Sequence, residues 1–158
     1  MPSRLRDFRD QDAPALGHIT REAIRVIGPH AYSLEQVEAW SARHTDERSF
    51  LKRDQAGATI IVATDERDEA VAYTLIEPDG HLDMLYCHPA YSGKGIANEL
   101  LSAAENLAQS NDVTRLYTEA SELARPAFER AGYTVRHRRD FEIQGVSIHN
   151  YAMEKQLI

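Results

Sequence analysis

The period of apolar and polar positions changes several times along the chain, and each change marks an element. Residues 5–9 open as a short strand. Asp12-Ala13-Pro14 reads as a helix start, and Leu16, Ile19, Ala23, Ile24 and Ile27 recur at helical spacing as far as the stop at Gly28-Pro29. Ser33 as N-cap with Gln36 three residues on predicts a capping box for a helix over 34–43, and 46–53 holds another helical turn or two. Residues 59–64 and 70–76 are β-rich and joined through Asp65-Glu66-Arg67-Asp68, a hairpin signal. An apolar strand within 80–89 then runs into a glycine turn, after which Ile96, Leu100, Ala104 and Leu107 mark the buried stripe of a long helix. A strand over 116–121, a short helix over 124–131 closed by Gly132, and a hairpin of 133–143 and 146–154 about Gln144-Gly145 complete the order. That order is strand, helix, helix, three strands, helix, strand, helix, two strands, with no repeat, linker or low-complexity stretch.

Composition narrows what such an α/β unit does. At 158 residues a single domain over 1–158 buries about 70% of its unfolded surface and needs no disulfide or metal staple. Cys87, the lone cysteine, has no internal partner; in a buried strand it reads as a small hydrophobe rather than a nucleophile. No apolar run approaches a membrane span, and residues 1–10 are charged where a signal peptide needs an apolar core, so a cytoplasmic protein without a membrane partner is expected. The net charge of −7 argues against a nucleic-acid partner, and the one basic run, Arg136-His137-Arg138-Arg139, alternates like the solvated face of a strand. An acidic protein suits a cationic amine.

The most informative segment is Leu85-Tyr86-Cys87-His88-Pro89-Ala90-Tyr91-Ser92-Gly93-Lys94-Gly95-Ile96-Ala97. Gly93 and Gly95 are free to take positive φ and bring main chain close to a ligand, and unpaired N–H groups at the start of the following helix then face an anion along the helix dipole. A pyrophosphate cradle fits that layout. The nucleotide P-loop is excluded, since Gly93-Lys94-Gly95 lacks its first glycine and its terminal hydroxyl. The dinucleotide fingerprint is excluded as well, because Asn98 stands where its third glycine belongs.

What remains resembles motif A of the GNAT superfamily of acyl-CoA-dependent N-acyltransferases, Gln/Arg-x-x-Gly-x-Gly/Ala, with Ser92 departing at the first position of Ser92-Gly93-Lys94-Gly95-Ile96-Ala97. Gly80 to Pro89 resembles that family's central strand and the His-Pro ending it. Phe128-Glu129-Arg130-Ala131-Gly132-Tyr133 resembles its Tyr-x-x-x-Gly-Phe with the aromatics changed. The resemblance, spanning 80–133, implies an α/β GNAT fold: a mixed central β-sheet of about seven strands with helices on both faces. It also implies an N-acetyltransferase that takes acetyl-CoA as cosubstrate, uses no metal, and acts on a small-molecule or peptide amine by direct attack in a ternary complex. It leaves room for a homodimer. Two alternatives stay open: a regulatory acyl-CoA sensor of the same fold with little turnover, and an acyltransferase using another acyl-CoA.

Carried over residue by residue, the resemblance implies that Ser92, Gly93, Lys94, Gly95, Ile96 and Ala97 hold the pyrophosphate. The main chain of Leu85, Tyr86 and Cys87, on a strand that splays from its neighbour, clasps pantetheine. Ser121 stands where the family often has Asn, and its hydroxyl either caps the next helix or meets the ligand. Phe128 stands where the family commonly has the tyrosine that protonates the departing thiolate; Tyr86, Tyr133 and Tyr151 are stand-ins by location only. For the general base the histone-acetyltransferase branch places a glutamate at the position of His81. Asp83 shares that strand face, and Glu119 ends the next strand across the splay; the two carboxylates rank above His81. The acceptor pocket is expected from His30, Tyr32 and Trp40 on one side and His149 and Tyr151 on the other.

Overall fold

The apolar stripe ahead of Gly28 forms α1 (Ala13–Ile27), with Pro14 in its first turn. The strand before it, β1 (Arg4–Asp7), is shorter than 5–9: the Arg9 amide donates to Asp12 Oδ2 at 2.8 Å, and the Asp12 amide donates to the Arg9 carbonyl at 2.8 Å, which turns the chain into α1. The computed structural model describes residues 4–157, so the ends of the domain expected over 1–158 lie outside it.

The capping box forms as expected at α2 (Leu34–Ala42), with the Gln36 amide donating to Ser33 Oγ at 3.1 Å and the Ser33 amide to Gln36 Oε1 at 2.8 Å. Removing such a cap costs about 1 kcal/mol. Next comes α3 (Arg48–Gln55), the turn or two of helix expected over 46–53, shifted two residues toward the C-terminus. The remaining elements are β2 (Thr59–Thr64), β3 (Ala70–Ile76), β4 (Leu82–Cys87), α4 (Ile96–Ser110), β5 (Arg115–Ala120), α5 (Arg125–Arg130), β6 (Thr134–Ile143) and β7 (Val146–Gln156). No helix among the described residues is long and apolar enough to cross a membrane.

The seven strands form an antiparallel sheet of order β1-β2-β3-β4 and a second of order β5-β7-β6. They meet in one parallel bridge between His81 and Tyr117, where the Tyr117 amide donates to the Gly80 carbonyl at 3.1 Å. Gly80 makes that meeting feasible, because a Cβ there would stand 2.2 Å from the Arg115 carbonyl oxygen. This junction gives the sheet its mixed sense. Helices cover both faces. Ile61, Ala63 and Ala72 pack with Leu100, Leu101 and Ala104 of α4, while Ile60, Val62, Tyr73 and Leu75 pack with Leu16 and Ile19 of α1 and Phe50 of α3. Strands buried on both faces read as continuous apolar runs, as β2 and β3 do.

Beyond the bridge β4 has no ladder partner on its β5 side among the described residues. A bulge at Asp83 sets which groups it leaves open there: Ile76 pairs with Leu82 and Leu75 with Met84, so Asp83 is the extra residue. The His88 amide donates to the Val71 carbonyl at 2.8 Å. Antiparallel alternation from that bond turns Tyr86 toward β3 and the N–H groups of Leu85 and Cys87 toward the gap.

Candidate active site

The glycine turn has the backbone the sequence requires. Gly93 and Gly95 lie at φ 76° and 81°, and Gly95 is the N-cap of α4. The first amide of that region to reach a carbonyl is Glu99's, on Gly95 at 3.2 Å; those of Gly95 to Asn98 have no carbonyl partner among the described residues. A Cβ at either glycine would meet nothing within 4 Å. The chain therefore needs no glycine there for its own packing, and the open space lies over a row of unpaired donors, an arrangement that suits an anion. Lys94 lies over the Tyr91 ring at 5.5 Å, and Ser92 donates to the Pro89 carbonyl at 2.8 Å, so the turn is fixed by its own side chains. Ile96 is buried in the α4 core and Ala97 is half-buried.

From the splay a cleft of about 600 Å³, solvent-open space included, runs between the two sheets. Leu85, Tyr86, Asp83, Glu119, Ser121 and Phe128 line it, as do Tyr32, Trp40, Arg43 and His149. Glu119 and Asp83 thus face one space across the splay, while the bulge at Asp83 interrupts the alternation expected to set it beside His81. His81 stands behind them. Its Nδ1–H donates to Glu77 Oε1 at 2.6 Å and its Nε2–H to Glu119 Oε1 at 2.7 Å, while its ring stacks on Tyr117 at 4.7 Å. The hydrogen bond to Glu119, reinforced by Glu77, lifts its pKa to about 9. With both nitrogens donating, the imidazolium has no lone pair for an incoming proton. Asp83 is paired with Arg53 of α3 at 2.7 Å. His81, Asp83 and Glu119 each bring a ligand atom to within 4.8 Å of the others, a spacing a metal ion could bridge; the imidazolium and Arg53 neutralise the two carboxylates there.

Cys87 carries a thiol whose pKa burial raises to about 11, in keeping with a packing role. Ser121 acts as a cap: its Oγ accepts from the Ala124 amide at 3.1 Å and its carbonyl from the Arg125 amide at 2.9 Å. Phe128, 2% exposed, packs edge-on against Tyr133 at 5.0 Å. The Tyr133 hydroxyl is buried without a hydrogen-bond partner among the described residues, and burial also raises the Tyr86 hydroxyl above the usual tyrosine range.

The acceptor-side residues divide. Trp40 stands against Tyr86 and, edge-on, against Tyr32 in the cleft wall. Tyr32 is a clasp: its hydroxyl donates to the His149 carbonyl at 2.9 Å and accepts from the Glu122 amide at 2.8 Å. His30 ends a short turn, is exposed, and does not line the cleft. Tyr151 also lies outside the lining; its hydroxyl donates to Glu122 Oε2 at 2.8 Å, beside the 2.6 Å bond from His149 Nε2 to the same oxygen. Arg53 and Glu77, which hold Asp83 and His81, and Arg43, Phe141 and Ile148 of the lining escaped the sequence reading.

The doubly bonded His81 makes stability depend on pH in a defined window. A pKa raised from 6.5 to about 9 means the folded state holds the proton more tightly. The stabilisation is full below 6.5 and is lost as pH rises through about 9. Chemical denaturation of wild type and His81→Gln at stepped pH should give a stability difference that shrinks across this window. A difference independent of pH would contradict the assignment.

Comparisons with known proteins identify the family and the fold. The chain matches the model of an acetyltransferase (GNAT) domain over residues 29–155. It is 29% identical over 150 residues to the uncharacterized N-acetyltransferase YafP of Escherichia coli (strain K12), covering 95% of this chain and 93% of that protein. The crystal structure of a GCN5-related N-acetyltransferase of Rhodopseudomonas palustris superposes with a TM-score of 0.90 at 32% identity, over 99% of this chain and 97% of the other. The PaiA N-acetyltransferase of Thermoplasma acidophilum, solved in complex with coenzyme A, shares the fold with a TM-score of 0.79 at 18% identity, over 99% of both chains.

Proposed function

The chain belongs to the GNAT acetyltransferase family, and we propose that it moves the acetyl group of acetyl-CoA to an amine by direct attack within a ternary complex, with Glu119 as the general base. The observation that carries the reading is the row of unpaired amides from Gly95 to Asn98, at the start of the helix that follows β4, whose own edge is open beyond the bridge to β5. The first holds pyrophosphate; the N–H groups of Leu85 and Cys87 clasp the pantetheine arm and polarise the thioester carbonyl. Coenzyme A bound to the PaiA protein of the same fold supports that ligand.

In the reaction the N–C bond forms as the C–S bond breaks, Glu119 takes the amine proton, and sulfur leaves as thiolate. Phe128 offers no proton, but a thiol of pKa near 8.5 is a good enough leaving group to depart unassisted. His81, both nitrogens engaged, orients Glu119 rather than acting as base.

Saturating coenzyme A is expected to raise Tm by several degrees, since a ligand at about 100 times Kd stabilises by about 2.7 kcal/mol. Amines should accelerate thiol release from acetyl-CoA. Stabilisation with no amine-dependent release across a broad panel would leave the sensor reading instead, and no stabilisation would remove the cofactor site.

A further inference from the structure

The electrostatics of the cleft bear on which amine it takes. Its lining includes three formally charged side chains, Asp83, Glu119 and Arg43. Two are satisfied from behind: Asp83 by Arg53 at 2.7 Å and Glu119 by His81 at 2.7 Å. Arg43 is different. It follows the last turn of α2, its backbone amide donates to the Trp40 carbonyl at 3.2 Å, and its guanidinium makes no hydrogen bond or ion pair among the described residues. Arg43 and Asp83 both act electrostatically on the Tyr86 hydroxyl and on His44, which puts the free cation and the carboxylate end of the cleft against one aromatic wall, Trp40 and Tyr86.

We propose that Arg43 is the subsite for an anionic group on the acceptor, so that the acceptor is an amine also carrying a carboxylate or comparable anion, an amino acid being the simplest case. The assignment rests on the acetyltransferase reading above. An acceptor ammonium is drawn to Glu119 and Asp83, where its proton is removed. Those carboxylates alone would favour a polycation. The charges around the cleft balance, however: Asp83, Glu119 and Glu77 face Arg53, His81 and Arg43. A balanced site with one unpaired guanidinium complements a zwitterion and repels a second ammonium. Arginine also presents a planar fork that pairs bidentately with a carboxylate. Trp40, Phe141 and Ile148 of the same lining then accommodate an apolar side chain. The overall charge of −7 therefore misleads about the acceptor, because it is not what the cleft presents.

The test is thiol release from acetyl-CoA with the proteinogenic amino acids, each paired with its carboxamide. For the best acceptor, kcat/KM for the acid should exceed that for the amide by roughly 10- to 100-fold, the worth of one charge-assisted pair. Arg43→Ala should bring the acid-to-amide ratio toward one, chiefly through KM, and Arg43→Lys should restore part of it. Because the side chain is exposed and unpartnered, neither change threatens the fold. A wild-type ratio at or below one, or a ratio that Arg43→Ala leaves unchanged, overturns the subsite while amine acetylation stands. Thiol release that no acid or amide accelerates, in a protein that still binds coenzyme A, overturns the acetyltransferase reading and the subsite with it.

Discussion

Gly95→Val is expected to fold as wild type does and to bind coenzyme A at least roughly 100-fold more weakly, the loss of one or two charge-assisted hydrogen bonds to phosphate. The fold survives because a Cβ at Gly95 meets nothing within 4 Å, and the position is exposed. The backbone does not escape so easily. At φ 81° a β-branched residue is strained by about 1–3 kcal/mol and relaxes by rotating the turn. That rotation displaces the amides of Ile96 and Ala97, while the branched side chain enters the space over them. Gly95→Ala, with the strain and little of the bulk, should fall between. Titration calorimetry with coenzyme A and thermal unfolding of the three proteins separate the effects; wild-type affinity in a folded Gly95→Val protein would sink the cradle.

The glycine turn was legible because its determinants are local. Two glycines one residue apart, an apolar strand before them and an apolar helical stripe after them dictate a turn with positive φ opening a helix. The capping box at Ser33 and Gln36 was legible for the same reason. By contrast, the bulge at Asp83 depends on how Ile76 and Leu82 pair across two strands, and no local pattern encodes a register shift. The carboxylate cluster was half readable. Alternation along β4 and the end of β5 brought Asp83 and Glu119 toward one gap, but Arg53 comes from α3 and Glu77 from the end of β3, so the groups that set the state of Asp83 and His81 are tertiary neighbours. His81 seemed suited to accept a proton from its ordinary pKa; two carboxylates at 2.6 and 2.7 Å reverse that. Of the aromatic residues expected on the acceptor side, Trp40 lies in the cleft wall, whereas an exposed turn carries His30 outside it, because which way that turn leads is set by tertiary packing.

Glu119→Gln is expected to lower kcat by roughly 10²–10⁴-fold, the usual contribution of a general base, with the Kd for coenzyme A unchanged. Glu119 lines the cleft beside the splayed edge of β4, and His81 holds one of its oxygens at 2.7 Å. No other hydrogen bond reaches its carboxylate among the described residues, so the second oxygen remains for an amine or a relaying water. Asp83 faces the same space, but Arg53 holds its Oδ2 at 2.7 Å from α3, which fixes the carboxylate as a charge beside the amine. Asp83→Asn should therefore raise KM for the amine more than it lowers kcat. His81→Gln, which keeps one donor toward Glu119, should lower kcat less than Glu119→Gln does. Steady-state rates for the three variants, with coenzyme A affinity measured separately, decide among the assignments. If Asp83→Asn alone loses kcat, the base is Asp83. If all three keep kcat within a few-fold of wild type, catalysis proceeds by positioning an amine that has already lost its proton, and the site contributes orientation and a polarised carbonyl but no base.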